Sequence, residues 1–194
     1  MVKDPNLTIS RRDQIADASL RVLGESGSRG LTHKAVDAAA GVPPGTTSSF
    51  FNTRSSLLEA ALALHVELDT PPEADLDAIA RLELSDDEAI DLLLANIERL
   101  TASENLGMLK ARYELVLESS RREELHRTFE PARERFVSLA EALLTARGCD
   151  SPREHAVHLV VMMDGVLMDH LIGASSKLDR EATRDLLARQ LASC

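Results

Sequence analysis

Pro44, Gly45, Thr46, Thr47, Ser48 and Ser49 form a run of small, uncharged residues, and the last four carry hydroxyls. Such side chains let a backbone approach a surface closely. Threonine methyls match thymine methyls in a groove floor, and hydroxyls reach base edges or phosphates. A helix with a purely structural role would carry solubilising Lys and Glu on that outward face. Lys34, Arg54 and the pair Arg11-Arg12 stand where flanking phosphates would be met, although a charge pair at a helix start is ordinarily just solvated. Helices opening at Thr32, Pro44 and Thr53 add amide-lined ends that suit anions. Catalytic patterns are missing from the sequence: it holds no Gly-x-Ser-x-Gly, no phosphate-loop Gly-Lys-Ser/Thr and no His-Glu-x-x-His. The expectation is a binding protein and not an enzyme.

The surrounding pattern supplies elements to position that run. Thr32 caps a helix of about two turns with Val36, Ala39 and Ala40 facing inward, and Gly41 stops it. A tight Gly41-Val42 turn and a short helix over 44–50 follow, which is a helix-turn-helix layout. So short a helix is unstable alone and needs Phe50 and Phe51 as apolar anchors. Upstream, Ser10 caps a helix carrying Ile15, Ala18 and Val22 that ends at Gly24 and Gly27. Downstream, Thr53 or Ser55 caps a fourth helix with Leu57, Leu58, Ala61, Leu62, His65 and Leu68, broken at Thr70-Pro71-Pro72. A polar connection runs to about Leu84. Ser85 and Glu88 then form a capping box before the stripe Ile90, Leu93, Leu94, Ile97, Leu100. Helices follow around Leu109–Leu117, through Leu125–Leu143 with Pro131 inside, from Ser151-Pro152 to Gly173, and from Asp179. No strand or hairpin signal occurs.

The chain has 194 residues, enough for one large or two small domains. Residues 1–60 hold seven basic and six acidic side chains, for +1; residues 61–194 hold fifteen and twenty-six, for −11. A near-neutral head on an acidic body does not forbid DNA binding, which needs only a local basic face. The longest apolar run spans five residues, as in Leu159–Met163, so no membrane span is expected. Cys149 and Cys194 suggest neither a disulfide framework nor a paired metal spacing, and a reducing cytoplasm is expected. His155 and His158 are spaced for metal ligation, but no Cys or further carboxylate joins them in sequence, so no metal and no cofactor are expected.

At Thr32, Ala40-Gly41-Val42-Pro43-Pro44-Gly45-Thr46, Phe51-Asn52-Thr53-Arg54, Leu57-Leu58 and Ala61, the chain resembles the DNA-binding head of the tetracycline-repressor (TetR-type) family. The likeness covers about residues 10–61. It implies an all-α protein with a three-helix helix-turn-helix domain over 1–54. Helix four would join this to a helical ligand-binding and dimerisation domain over 55–194. Thr32 would contact phosphate and Lys34 a base edge. Pro44, Gly45, Thr46 and Thr47, with Ser48 and Ser49 beside them, would line the major groove, and Arg54 would meet phosphate. Thr47→Glu would then abolish DNA binding with fold and dimer intact. Departures are Ser48 for the family's phosphate-binding Tyr, which weakens backbone anchoring, and Pro43 for the Ser that caps the recognition helix.

The helix ending at Gly173 is apolar almost all round and must be buried on more than one side. It is either a core helix of one chain or half of a four-helix dimer bundle. The resemblance implies the bundle, with Val161, Gly165, Met168, Leu187 and Leu191 in it, and a palindromic double-stranded DNA operator requires a homodimer. Asp164 within it would be costly to bury alone, so it either pairs with an Arg or His or points to a polar spot in a pocket. Met108, Tyr113, Phe136, Met162 and Met163 read as core or as the wall of an effector cavity, with Asn96 and Arg112 as polar contacts and His65 facing either. The implied function is a ligand-responsive transcriptional repressor, released from its operator by a small, apolar effector. The competing reading is a helical dimeric interaction protein whose head has lost DNA affinity.

Overall fold

The computed structural model describes residues 10–70, 72–173 and 178–194. Pro71, in the expected break after helix four, and the polar residues 1–9 lie outside them. The described residues form ten helices and no strand. They are α1 (Arg11–Gly30), α2 (His33–Ala40), α3 (Thr46–Phe50), α4 (Arg54–Asp69), α5 (Glu73–Ala80), α6 (Asp86–Thr101), α7 (Leu106–Ser119), α8 (Glu123–Ala146), α9 (Pro152–Ile172) and α10 (Arg180–Leu191). Two compact units divide the chain: residues 1–65 with 110–129, and residues 66–109 with 130–194. The first thus runs past residue 54 and takes in most of α7.

In the first unit α1 packs on α2 and α2 on α3. Ser10 caps α1 by accepting from Asp13 N at 3.1 Å, and Ile15, Ala18 and Val22 are buried as their spacing predicts. The backbone leaves helical geometry at Gly27. Thr32 accepts from Ala35 N at 3.1 Å, and α2 stops at Gly41, whose φ of 64° disfavours any side chain. The last carbonyls of α2 are claimed from outside: Gln14 donates to Ala40 at 2.7 Å and Arg21 to Ala39 at 3.0 Å. Thr53, not Ser55, caps α4, accepting from Ser56 N at 3.0 Å.

In the second unit α6 packs against α9 and α10. Its capping box is present, with Ser85 and Glu88 each bonded to the other's backbone N–H. Helix α5 falls where a polar connection was expected; it starts after Pro72 with no side-chain cap. Pro131 lies inside α8 without ending it. Ser151 makes no side-chain cap on α9, although Pro152 holds the first position.

Of the two readings of α9, the core helix of one chain does not fit, because Val157, Val161 and Ile172 are exposed. By length and composition α9 is also apolar enough to cross a membrane. However, Asp164 and Asp169 lie within it, and Asp164 pairs with Arg133 at 3.8 Å. The cysteines, 45 residues apart, are joined in a disulfide, with the His155 ring against both sulfurs. Sequence spacing hid this, because the α8–α9 turn and the end of α10 meet only through folding.

Candidate nucleic-acid interface

The five-residue α3 has no side-chain cap of its own, because its N-cap is Gly45 at φ 87°. It opens two residues later than the sequence suggests. Pro43 precedes another proline and is driven to extended geometry, so a turn forms first, with Thr46 N donating to the Pro43 carbonyl at 3.1 Å. The free amides of this helix start are received by Asp37 of α2. Gly45 N donates to Oδ2 and Thr47 N to Oδ1, each at 2.7 Å. The Thr47 hydroxyl is wholly enclosed and lies outside strict hydrogen-bond geometry with any acceptor, yet it faces Asp37. It is the largest influence on the buried Asp37 carboxyl. With the two amides and His33 it outweighs burial and holds that carboxyl below its ordinary range. Asp37 therefore supplies the cap that Pro43 cannot. Sequence reasoning missed it; the signal was the one acid in His33–Ala40.

The outward face differs in part from expectation. Thr32, Lys34, Pro44, Gly45, Ser48 and Ser49 are exposed, and Thr46 is half-buried. Thr47 is fully buried, at 0% exposure, so it cannot touch a groove floor. A five-residue helix shows one narrow face to its neighbours, and position 47 falls on it. Phe51 is the buried anchor, at 3%, with the Arg12 guanidinium 4.6 Å above its ring. Phe50 is instead 39% exposed beside Ser48 and Ser49 in the chain, which sequence reasoning missed by pairing the two phenylalanines. The hydroxyls of Thr46, Ser48 and Ser49 donate to carbonyls of Pro43, Gly45 and Thr46, leaving their lone pairs outward as acceptors.

Arg54 does not project free toward a phosphate. Its guanidinium pairs with Glu118 of α7 at 3.1 Å and donates to the Ser28 carbonyl and hydroxyl. Glu118 also accepts from Ser28 Oγ at 2.5 Å and Arg122 at 2.9 Å. Burial pushes the Glu118 carboxyl up, but Ser28, Arg54 and Arg122 together bring it below the ordinary range. Glu114, one turn earlier, accepts from Ser28 N at 2.8 Å. The end of α1, the start of α4 and α7 are tied by one charged cluster.

The expected effector residues fall in both units. His65, Arg112 and Tyr113 belong to the first; Asn96, Met108, Phe136, Met162 and Met163 belong to the second. His65 and Tyr113 are buried, and Asn96 accepts from Arg99 at 3.0 Å. A cleft of about 200 Å³ in the second unit is lined by Leu94, Ile97, Glu98, His170, Arg180 and Thr183 among others, and by none of those eight. Of the expected dimer residues, Val161 and Gly165 are exposed and Met168 half-buried. Leu187 and Leu191 are buried inside their own chain, at 0% and 2%, and so are not free to meet a second copy.

The model of the tetracyclin repressor-like C-terminal domain matches residues 84–193. No curated protein matches the chain. Among solved structures, the multidrug binding protein EbrR, crystallised with imidazole, is 32% identical, with 93% of this chain and 94% of that one covered and a TM-score of 0.68. EbrR with ethidium gives 30% identity over 93% and 98%, with a TM-score of 0.69. A TetR-family member from Streptomyces coelicolor A3 is 30% identical over 93% and 98%, with a TM-score of 0.71. The chain belongs to the tetracycline-repressor family of transcriptional regulators.

Proposed function

We propose that this protein is a homodimeric repressor that sets α3 of each copy in the major groove of a palindromic operator and leaves it when a small molecule binds. The observation that carries the reading is the Asp37 cap. It holds a five-residue helix, too short to stand alone, with Pro44, Gly45, Ser48, Ser49 and Phe50 exposed. Ser48 and Ser49 offer acceptors to base amines, Phe50 offers an apolar edge to thymine methyls, Thr32 meets phosphate and Lys34 a base edge. Arg54 reaches phosphate only by exchanging its Glu118 partner.

The dimer rests on a stripe along α9. Val157, Val161, Gly165, Met168 and Ile172 follow at steps of four, four, three and four, and the first three and the last are exposed. A Cβ at Gly165 would meet nothing within 4 Å, so a second helix has room to approach there. Two such heads would read half-sites about 34–36 Å apart, or a multiple of that. The site of action is cytoplasmic, where the operator lies. Because related EbrR structures hold imidazole and ethidium, aromatic and cationic molecules are the first effectors to try, around Phe136, Met162 and Met163. The effector acts only as far as it prefers the arrangement that cannot bind DNA.

The test is selection from a random duplex library at low salt, then titration of the selected site. One two-fold-symmetric motif, a steep salt dependence and loss of binding in Ser48→Glu at unchanged melting temperature are expected. Folded, dimeric protein that enriches no motif would sink the reading in favour of an interaction protein.

A further inference from the structure

The ends of three segments of the second unit meet at one point. Cys149 follows the turn that ends α8, His155 stands in the first turns of α9, and Cys194 follows α10. His155 Nδ1 lies 3.2 Å from Cys149 Sγ and 3.0 Å from Cys194 Sγ, and the three ligand atoms fall within 4.8 Å of one another. Backbone bonds fix each: Cys149 N to the Leu144 carbonyl at 3.0 Å, His155 N to Ser151 at 3.1 Å and Cys194 N to Leu191 at 3.1 Å. A structural disulfide alone needs no imidazole aimed at both sulfurs.

From this arrangement we infer that Cys149, Cys194 and His155 form a thiolate–imidazole site for a soft divalent cation of the Zn²⁺ class, filled when the disulfide is reduced. Two sulfurs and one ring nitrogen are the donor set that selects such ions, with solvent completing a tetrahedron. Bond lengths of about 2.3 Å to sulfur and about 2.0 Å to nitrogen place S and N about 3.6 Å apart and the sulfurs about 3.8 Å apart. At 3.2 and 3.0 Å the nitrogen needs to draw back from each sulfur by only about half an ångström. The cysteine Cα atoms stand 5.2 Å apart, and rotation of the side chains opens the sulfurs without moving the backbone. His155 would bind through Nδ1 and keep its proton on Nε2. His158, its ring centre 6.2 Å from that of His155 and exposed, is not counted among the ligands.

The chemistry balances. A dithiol reductant gives two electrons and two protons to the disulfide, leaving two cysteine thiols and becoming a disulfide itself. The cation then displaces both thiol protons, and two thiolates with one dication make a neutral centre. Disulfide and cation are alternatives at one place, and in a reducing compartment the dithiol form prevails. The site belongs wholly to the second unit and does not depend on DNA binding.

The experiment reduces the full-length protein with dithiothreitol, removes the reductant without oxygen, counts thiols and titrates with Co²⁺. We expect two free thiols and one Co²⁺ per chain. Thiolate-to-cobalt charge transfer and the intense visible bands of tetrahedral cobalt should appear, and one equivalent of Zn²⁺ should erase them. Oxidised protein should show none of this. His155→Gln should weaken binding at least tenfold, and Cys149→Ser should remove the charge-transfer band, each checked for native helicity. Wild-type protein that shows no such band with two thiols free overturns the inference, as does a disulfide that resists the reductant. A band unchanged in both variants does the same.

Discussion

The two units hold themselves together by different means. In the first, the decisive polar groups are buried carboxylates with several partners: Asp37 receives two amides of the α3 start, and Glu118 gathers Ser28, Arg54 and Arg122. In the second, most charged pairs lie at the surface, as where Arg184 reaches Asp87 and Asp91 or Arg180 reaches Glu98, while the enclosed Asp69 meets Arg99. Its apolar surface is what stands open, along α9. Directional buried bonds fix a geometry, which a helix of five residues needs if it is to meet a groove. Exposed pairs fix little. An open apolar stripe is the face that the proposed dimer would cover.

The contrast can be broken most sharply at Val161. At 56% exposure, Val161→Glu should leave one chain folded but put a carboxylate on each side of the proposed dimer seam. The dimer constant should weaken at least about a hundredfold, read by sedimentation equilibrium. A dimer of wild-type strength would show that α9 is not the seam. Thr47→Glu comes next. A face open to solvent would have tolerated it, but position 47 is enclosed beside the Asp37 carboxylate. Thermal unfolding should show a loss of about 3 kcal/mol or more. Retained stability with lost DNA binding would restore Thr47 to the outward face.

Asp37→Asn should cost about 1–3 kcal/mol, since the amide keeps one acceptor oxygen and loses the charge. The acid limb gives the sign. The Asp37 and Glu118 carboxyls sit below their ordinary range when folded. Their contribution is complete above the unfolded value of about 4 and is lost as pH falls through the folded one. Urea unfolding from pH 7 to pH 3 should therefore show a shallower acid loss in Asp37→Asn than in wild type. An identical slope would mean that Asp37 carries none of it. The smallest effect is expected for Arg184→Ala, under about 1 kcal/mol despite two carboxylate partners. A larger loss would show that exposed pairs do hold α10 to α6.

Caps and stops were legible wherever one residue decides them locally. Ser10, Thr32, Ser85 and Asp179 each accept from the backbone three residues on, and Gly41 ends α2. Pairing was one of two readings of Asp164, and Arg133 meets it. The failures came where the partner is distant in sequence or the periodic pattern is short. Helix α5 has only Leu76 and Ile79 to mark it. The facing of positions 47 and 50 depends on a start displaced by Pro43-Pro44. Arg54 meets Glu118 sixty-four residues away.

The sequence by itself determined the helical class, the helix-turn-helix layout and the stretch of small residues from which most of the outward face is drawn, because periodicity, caps and glycine stops act within one or two turns. Only the tertiary structure decided that Asp37 caps α3, that Thr47 turns inward, that Arg54 is engaged and that Cys149, Cys194 and His155 share one point. Each of those depends on bringing together residues that are adjacent only once the helices have packed.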